Sequence, residues 1–148
     1  MSPLACNGLV TLLRPELDMK PSNRETRTGK LTMEQYLGLT DGMSFKVAGR
    51  MLALAGDYTN DVIRLHEEGL DPRHDRDTLM ILARDATRAE MHLARLLVLA
   101  AEHCGDWALV DVPAAIRLNM KTVSRCRSAI CLRAMTAVQQ SRDEPLAA

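Results

Sequence analysis

The chain has 148 residues, a length that fits one globular unit, and its 47% hydrophobic and 26% charged side chains argue against both pervasive disorder and a membrane protein. Its 19 basic and 19 acidic residues cancel, so the molecule as a whole makes no electrostatic case for nucleic acid, and any such case must rest on how charge is distributed. Only four aromatic residues, Tyr36, Phe45, Tyr58 and Trp107, stand against abundant Leu, Ala and Met, a balance that predicts an all-α protein, since strands favour β-branched and aromatic side chains.

The four cysteines, Cys6, Cys104, Cys126 and Cys131, form no CxxC pair and no zinc-ribbon spacing, and are expected to be reduced, small, buried or half-buried residues. The apolar run Leu9 to Leu13 is too short for a secretory signal and stops at Arg14 and Pro15. A cytoplasmic protein is the expectation, with no membrane partner, because no run approaches the ~18 apolar residues of a span.

In chain order, an apolar piece from Leu4 to Leu17 is followed by Lys20 to Lys30, which has no apolar residue and reads as a linker. A short helix over 32–37 follows, with Thr32 and Gln35 spaced as a capping box and Gly38 as its stop. Thr40, Asp41 and Gly42 have turn chemistry. From Ser44 to Glu68 the positions Val47, Met51, Leu54, Ala55, Tyr58, Val62 and Leu65 recur every three or four residues, the mark of one helical stripe that Gly69 ends. Asp75 or Asp77 can cap the next helix, whose seam Leu79, Leu82, Ala86, Ala89, Leu93, Leu96 and Ala100 alternates the same spacings over three heptads until Gly105. Leu93 to Ala101 is apolar nearly all round, broken only by Arg95, so this helix is either central to the domain or part of a dimer interface. The expected interface residues are Leu79, Leu82, Ala86, Leu93, Leu96, Leu97 and Ala100.

Charge separates after residue 111. From Val112 to Met135 there are five basic residues and no acid, whereas residues 1–111 carry 13 basic against 17 acidic side chains. Here Asp111 can cap a short helix with Pro113 in its first turn, and Asn119 can cap a second helix after a tight turn at Arg117 and Leu118. On the second helix Val123, Cys126 and Ile130 share one face, and Lys121, Ser124, Arg125 and Ser128 the opposite one. Apolar inside and cationic outside is what a helix entering a major groove requires.

The stretch Val112 to Ile130 resembles the helix-turn-helix of LuxR/GerE-type bacterial regulators, matching it at Val112, Ile116, Leu118, Lys121, Thr122, Val123 and Ile130. Pro113, Asn119, Cys126 and Ala129 stand where that family has other residues. The resemblance implies transcription regulation through DNA binding.

The expected organisation is therefore a flexible segment over 1–31, a helical body over 32–105 that makes a homodimer, a helix-turn-helix over 106–140 and a flexible tail over 141–148. Lys121 and Arg125 are the expected base readers, and Arg117, Arg127 and Arg133 the phosphate ligands, with Asn119, Thr122, Ser124 and Ser128 completing the double-stranded DNA surface. RNA polymerase or another regulator is a candidate partner of the acidic body. The plain alternative is an amphipathic surface helix whose basic face is merely solvated. The functional alternative is a helical protein-binding module, of the anti-activator or phage- or plasmid-encoded inhibitor kind, that captures a partner through the Leu93 to Ala101 face.

Two weaker constellations are explained as well by structural roles. His66, Glu67, Glu68, Asp71, His74 and Asp75 gather metal-ligand types without HExxH spacing, and His103 adjoins Cys104 on a helix where neighbours point about 100° apart. Neither predicts a metal centre or a nucleophile. With no phosphate loop, G-x-S-x-G or paired carboxylates, no enzyme and no cofactor are expected.

Overall fold

The computed structural model describes residues 31–39, 44–103 and 110–143, and these form four helices with no strand among them. The apolar piece 4–17, the linker 20–30, the turn at Thr40 to Gly42, Cys104, Gly105 and Trp107 lie outside the described residues.

Helix α1, Met33–Leu37, is closed at both ends by its own sequence. The Thr32 hydroxyl accepts from the Gln35 N–H at 3.1 Å, and the Gln35 side chain accepts from the Thr32 N–H at 3.0 Å. Gly38 ends it at φ 74°, where its amide returns to the carbonyls of Glu34 and Gln35. A Cβ there would meet the Arg50 guanidinium at 3.0 Å, and that guanidinium donates to the Leu37 carbonyl, so only glycine fits both conformation and space.

Three long helices follow. Helix α2, Phe45–Gly69, is capped by Ser44, whose hydroxyl accepts from the Val47 N–H at 3.2 Å. Helix α3, Arg76–His103, starts where the Asp75 carboxylate accepts from the Thr78 N–H at 2.8 Å. This bond, with a side-chain bond from Thr78, holds the Asp75 carboxyl below its ordinary range. Helix α4, Val112–Asp143, starts at Asp111, whose carboxylate accepts from the Ala114 N–H at 3.0 Å.

Each long helix packs against the other two. Cross-contacts fix the directions. Tyr58 stacks on His92 with ring centroids 5.6 Å apart, and Glu34, ahead of α2, meets Arg95 near the end of α3 at 2.6 Å, so α2 and α3 are antiparallel. Glu90 meets Arg127 while Thr87 faces Cys131, so α3 and α4 are antiparallel as well. The core between them is made of the expected stripes: Val47, Met51, Leu54, Tyr58, Val62 and Leu65 of α2 and Leu79, Leu82, Ala86, Ala89, Leu93, Leu96 and Ala100 of α3 are all buried.

Two expectations are corrected here. The turn at Arg117 and Leu118 is absent: one 32-residue helix runs through it and continues to Asp143, three residues into the expected tail. Its buried positions Val112, Ile116, Val123, Ile130 and Ala134, with half-buried Met120 and Ala137, keep one helical phase throughout. A turn would throw that stripe out of register, whereas mid-helix Asn119 costs only about 0.7 kcal/mol. The α3 seam is also spent inside the chain. Leu82, Ala86, Leu93, Leu96 and Ala100 have no exposed surface and Leu79 is buried, so these six are packed within one chain, while Leu97 is half-buried. Of the Leu93 to Ala101 stretch, Leu93, Leu96, Leu99 and Ala100 are covered by the chain's own helices, whereas Val98 is 54% exposed and Ala101 is exposed as well.

Candidate functional site

Helix α4 presents two different surfaces. On its first half Arg117, Lys121 and Arg125 are exposed and spaced one turn apart, with Ser128 exposed beyond them. Leu118, 65% exposed, lies beside this row, so the outward face is not purely cationic. The remaining residues expected to touch DNA sit elsewhere. Asn119, Thr122, Ser124, Arg127 and Arg133 are half-buried. Asn119 is inside the helix and caps nothing.

Ser124 and Arg127 are committed to α3. The Ser124 hydroxyl donates to Glu90 Oε2 at 2.5 Å, and Arg127 Nε donates to Glu90 Oε1 at 2.7 Å. Both carboxylate oxygens of Glu90 are thus used to hold α4, so the Ser124 hydroxyl and Arg127 Nε, both of residues expected at DNA, are engaged within the chain. Burial pushes the Glu90 carboxyl upward, but the bonds from Arg127 and Ser124 and the guanidinium charge outweigh it and hold the group below its ordinary range. The same bond raises Arg127. Nearby, burial raises the Cys126 thiol.

A carboxyl lowered by folding contributes stability that is complete above its unfolded value, near 4.3, and is lost as pH falls through the lower folded value. Glu90→Gln should therefore cost about 2 kcal/mol at pH 7, because Arg127 keeps its charge but loses its ionic partner, and the deficit should shrink toward pH 3. Urea unfolding of both proteins at the two pH values measures this. An equal deficit at both would mean that the ion pair carries no stability.

The second surface lies toward the other end of α4, where α3 and α4 line an open groove of about 830 Å3. Both walls repeat the same helical spacing. Met80, Ala83, Arg84, Thr87, Arg88 and Met91 of α3 face Cys131, Ala134, Met135, Val138, Gln139 and Arg142 of α4. These positions span twelve residues on each helix, or about 16 Å at 1.5 Å of rise per step. Small side chains, Ala83, Thr87, Cys131 and Ala134, are buried or half-buried along the groove. Met80, Met91 and Met135 are 50%, 67% and 68% exposed. Three arginines and one glutamine are its long polar residues, and no Asp or Glu lines it.

This groove was missed from the sequence although a signal exists. Met80, Ala83, Thr87 and Met91 form a second stripe on α3 beside the seam, and Cys131, Ala134, Met135 and Val138 match it on α4. The match lies between two helices 40 positions apart, and nothing local in sequence pairs one stripe with the other.

The polar junction of α2 and α3 is occupied by local structure. Asp71 is held by Arg73 at 2.8 Å, with its carboxyl lowered by that bond, and Asp75 is the cap of α3. Among the described residues no three His, Cys, Asp or Glu side chains converge as metal ligands, and no helix is long and apolar enough to cross a membrane. Comparison with known proteins finds no family model, no curated protein and no solved structure that matches the chain.

Proposed function

We propose that this protein is a helical protein-binding module that receives a helix of another protein in the groove between α3 and α4. The observation that carries the reading is the groove itself: three turns of two helices, apolar and small at the base, with exposed methionines along it. Methionine is flexible and polarizable, and it suits surfaces that repack around a partner's side chains. Helix-in-groove capture reads its ligand at positions i, i+3, i+4 and i+7, the spacing that both walls present.

Duplex binding is a second reading, favoured by one observation, the exposed row Arg117, Lys121 and Arg125 on an acid-free length of α4. Of the five cations that the sequence assigned to DNA, the base readers Lys121 and Arg125 and the phosphate ligand Arg117 are exposed, and the phosphate ligands Arg127 and Arg133 are half-buried.

One set of proteins tests both. Selection of displayed helical peptides on the wild-type chain should yield binders that Met91→Glu and Met135→Glu abolish, since both side chains are exposed and their replacement leaves the core intact. Gel-shift with random duplex at 50 and 200 mM salt should show no binding beyond what salt removes. Peptides unaffected by both glutamates would end the groove reading, and duplex affinity that Lys121→Ala and Arg125→Ala abolish would favour the second.

A further inference from the structure

Resting on the reading of the groove as a helix receptor, we infer that its partner is an acid-flanked amphipathic helix of about three turns, with two carboxylates at i and i+4 set against Arg84 and Arg88. The argument starts from charge. The groove carries Arg84, Arg88 and Arg142 and no acid in its lining. Arg84 and Arg88 lie one turn apart on α3, about 6 Å along the axis, and Arg142 lies on the opposite wall. Arg84 touches Asp85 at 3.3 Å but is 59% exposed, so its guanidinium remains accessible from the groove. On the other wall Asp143 is engaged by the Gln139 amide at 3.2 Å. A helix that fills the base with apolar residues therefore brings its flanks under positive charge on both sides.

Size points the same way. Twelve residues of each wall match a ligand of about twelve residues, with three or four apolar side chains facing the base. A neutral apolar helix would fill the volume but add no acceptor for Arg84, Arg88 and Arg142. A basic helix would be repelled on both flanks, and the apolar base has no partner for the phosphates and sugars of a nucleic acid. Carboxylates at i and i+4 on one flank meet Arg84 and Arg88 together, and a third on the other flank meets Arg142. Bidentate arginine geometry makes such pairs directional as well as attractive.

The test uses the full chain and three synthetic helices of fourteen residues that share one apolar stripe and carry Glu, Gln or Lys at the flanking positions, titrated by fluorescence anisotropy. The Glu helix should bind about tenfold more tightly than the Gln helix at 50 mM salt, with the gap closing to less than about threefold at 500 mM. The Lys helix should bind weakest. Arg84→Gln with Arg88→Gln should cut the Glu preference to about threefold or less, the remainder being held by Arg142, and leave the affinity for the Gln helix unchanged, with circular dichroism confirming an intact fold. Equal affinity for all three helices would overturn the charge assignment while leaving the groove as a receptor. Binding of none would overturn both. Two further outcomes would also overturn the assignment. One is self-association in sedimentation that Met135→Glu abolishes, which makes a second copy the occupant. The other is helix binding that appears only after Leu9→Asp and Leu12→Asp, which makes residues 4–17 the occupant.

Discussion

Leu118→Pro should lower the unfolding free energy by about 3 kcal/mol or more, while Leu118→Ala should change it by less than about 0.5 kcal/mol. Leu118 is 65% exposed, so its side chain contributes little and the proline effect isolates the backbone. In an unbroken α4, proline at this position removes one hydrogen bond of the ladder and drives its ring into the carbonyl one turn back. It also pushes Arg117 toward extended backbone, which would put Ile116 and Val123 out of phase on the two sides of the break. Had residues 117–119 formed a turn between two helices, the same substitution would be nearly neutral, because proline suits such a turn. Denaturation followed by circular dichroism decides the matter, and a loss under about 1 kcal/mol would restore the turn.

Leu93→Ala should cost about 3 kcal/mol, within the 2 to 5 typical of a large-to-small change in a packed core, and the loss should not depend on protein concentration. Leu93 is fully buried within one chain, in a helix that packs against both α2 and α4. Its truncation leaves a cavity that three helices surround and only partly close. A seam shared between two subunits would behave otherwise, since its loss would appear as dissociation and the midpoint would move on dilution. Melts at 1 and 100 μM separate the two outcomes.

Much of the architecture was legible in the order of side chains. The Thr32 and Gln35 capping box, the stops at Gly38 and Gly69, the caps at Asp75 and Asp111 and the buried stripes of α2 and α3 are local or periodic signals, and the structure has each of them. The failure at residue 117 has a definite cause. Turn preference was inferred from three residues, whereas the stripe from Val112 to Ala137 draws on the packing of seven turns, and summed burial outweighs a local preference of tenths of a kcal/mol. The dimer seam failed for a related reason. Periodicity shows that a face is covered but not by what, and an unbroken α4 supplies the third helix that closes it. The candidate site was the least legible part. Basic residues were visible, but the partners of Ser124 and Arg127 were not, because Glu90 lies 34 and 37 positions away and nothing local in sequence marks the pairing.

The unbroken length of α4 has a mechanical consequence. The Glu90 clasp grips it near its middle, with the groove toward one end and the row Arg117, Lys121 and Arg125 toward the other. A jointed element would absorb a wedge driven in at one end, but a stiff rod held at a fulcrum transmits the tilt and reverses its sense. Val138 and Arg117 belong to one jointless element, so a displacement of α4 at the groove has a continuous path to the cationic row.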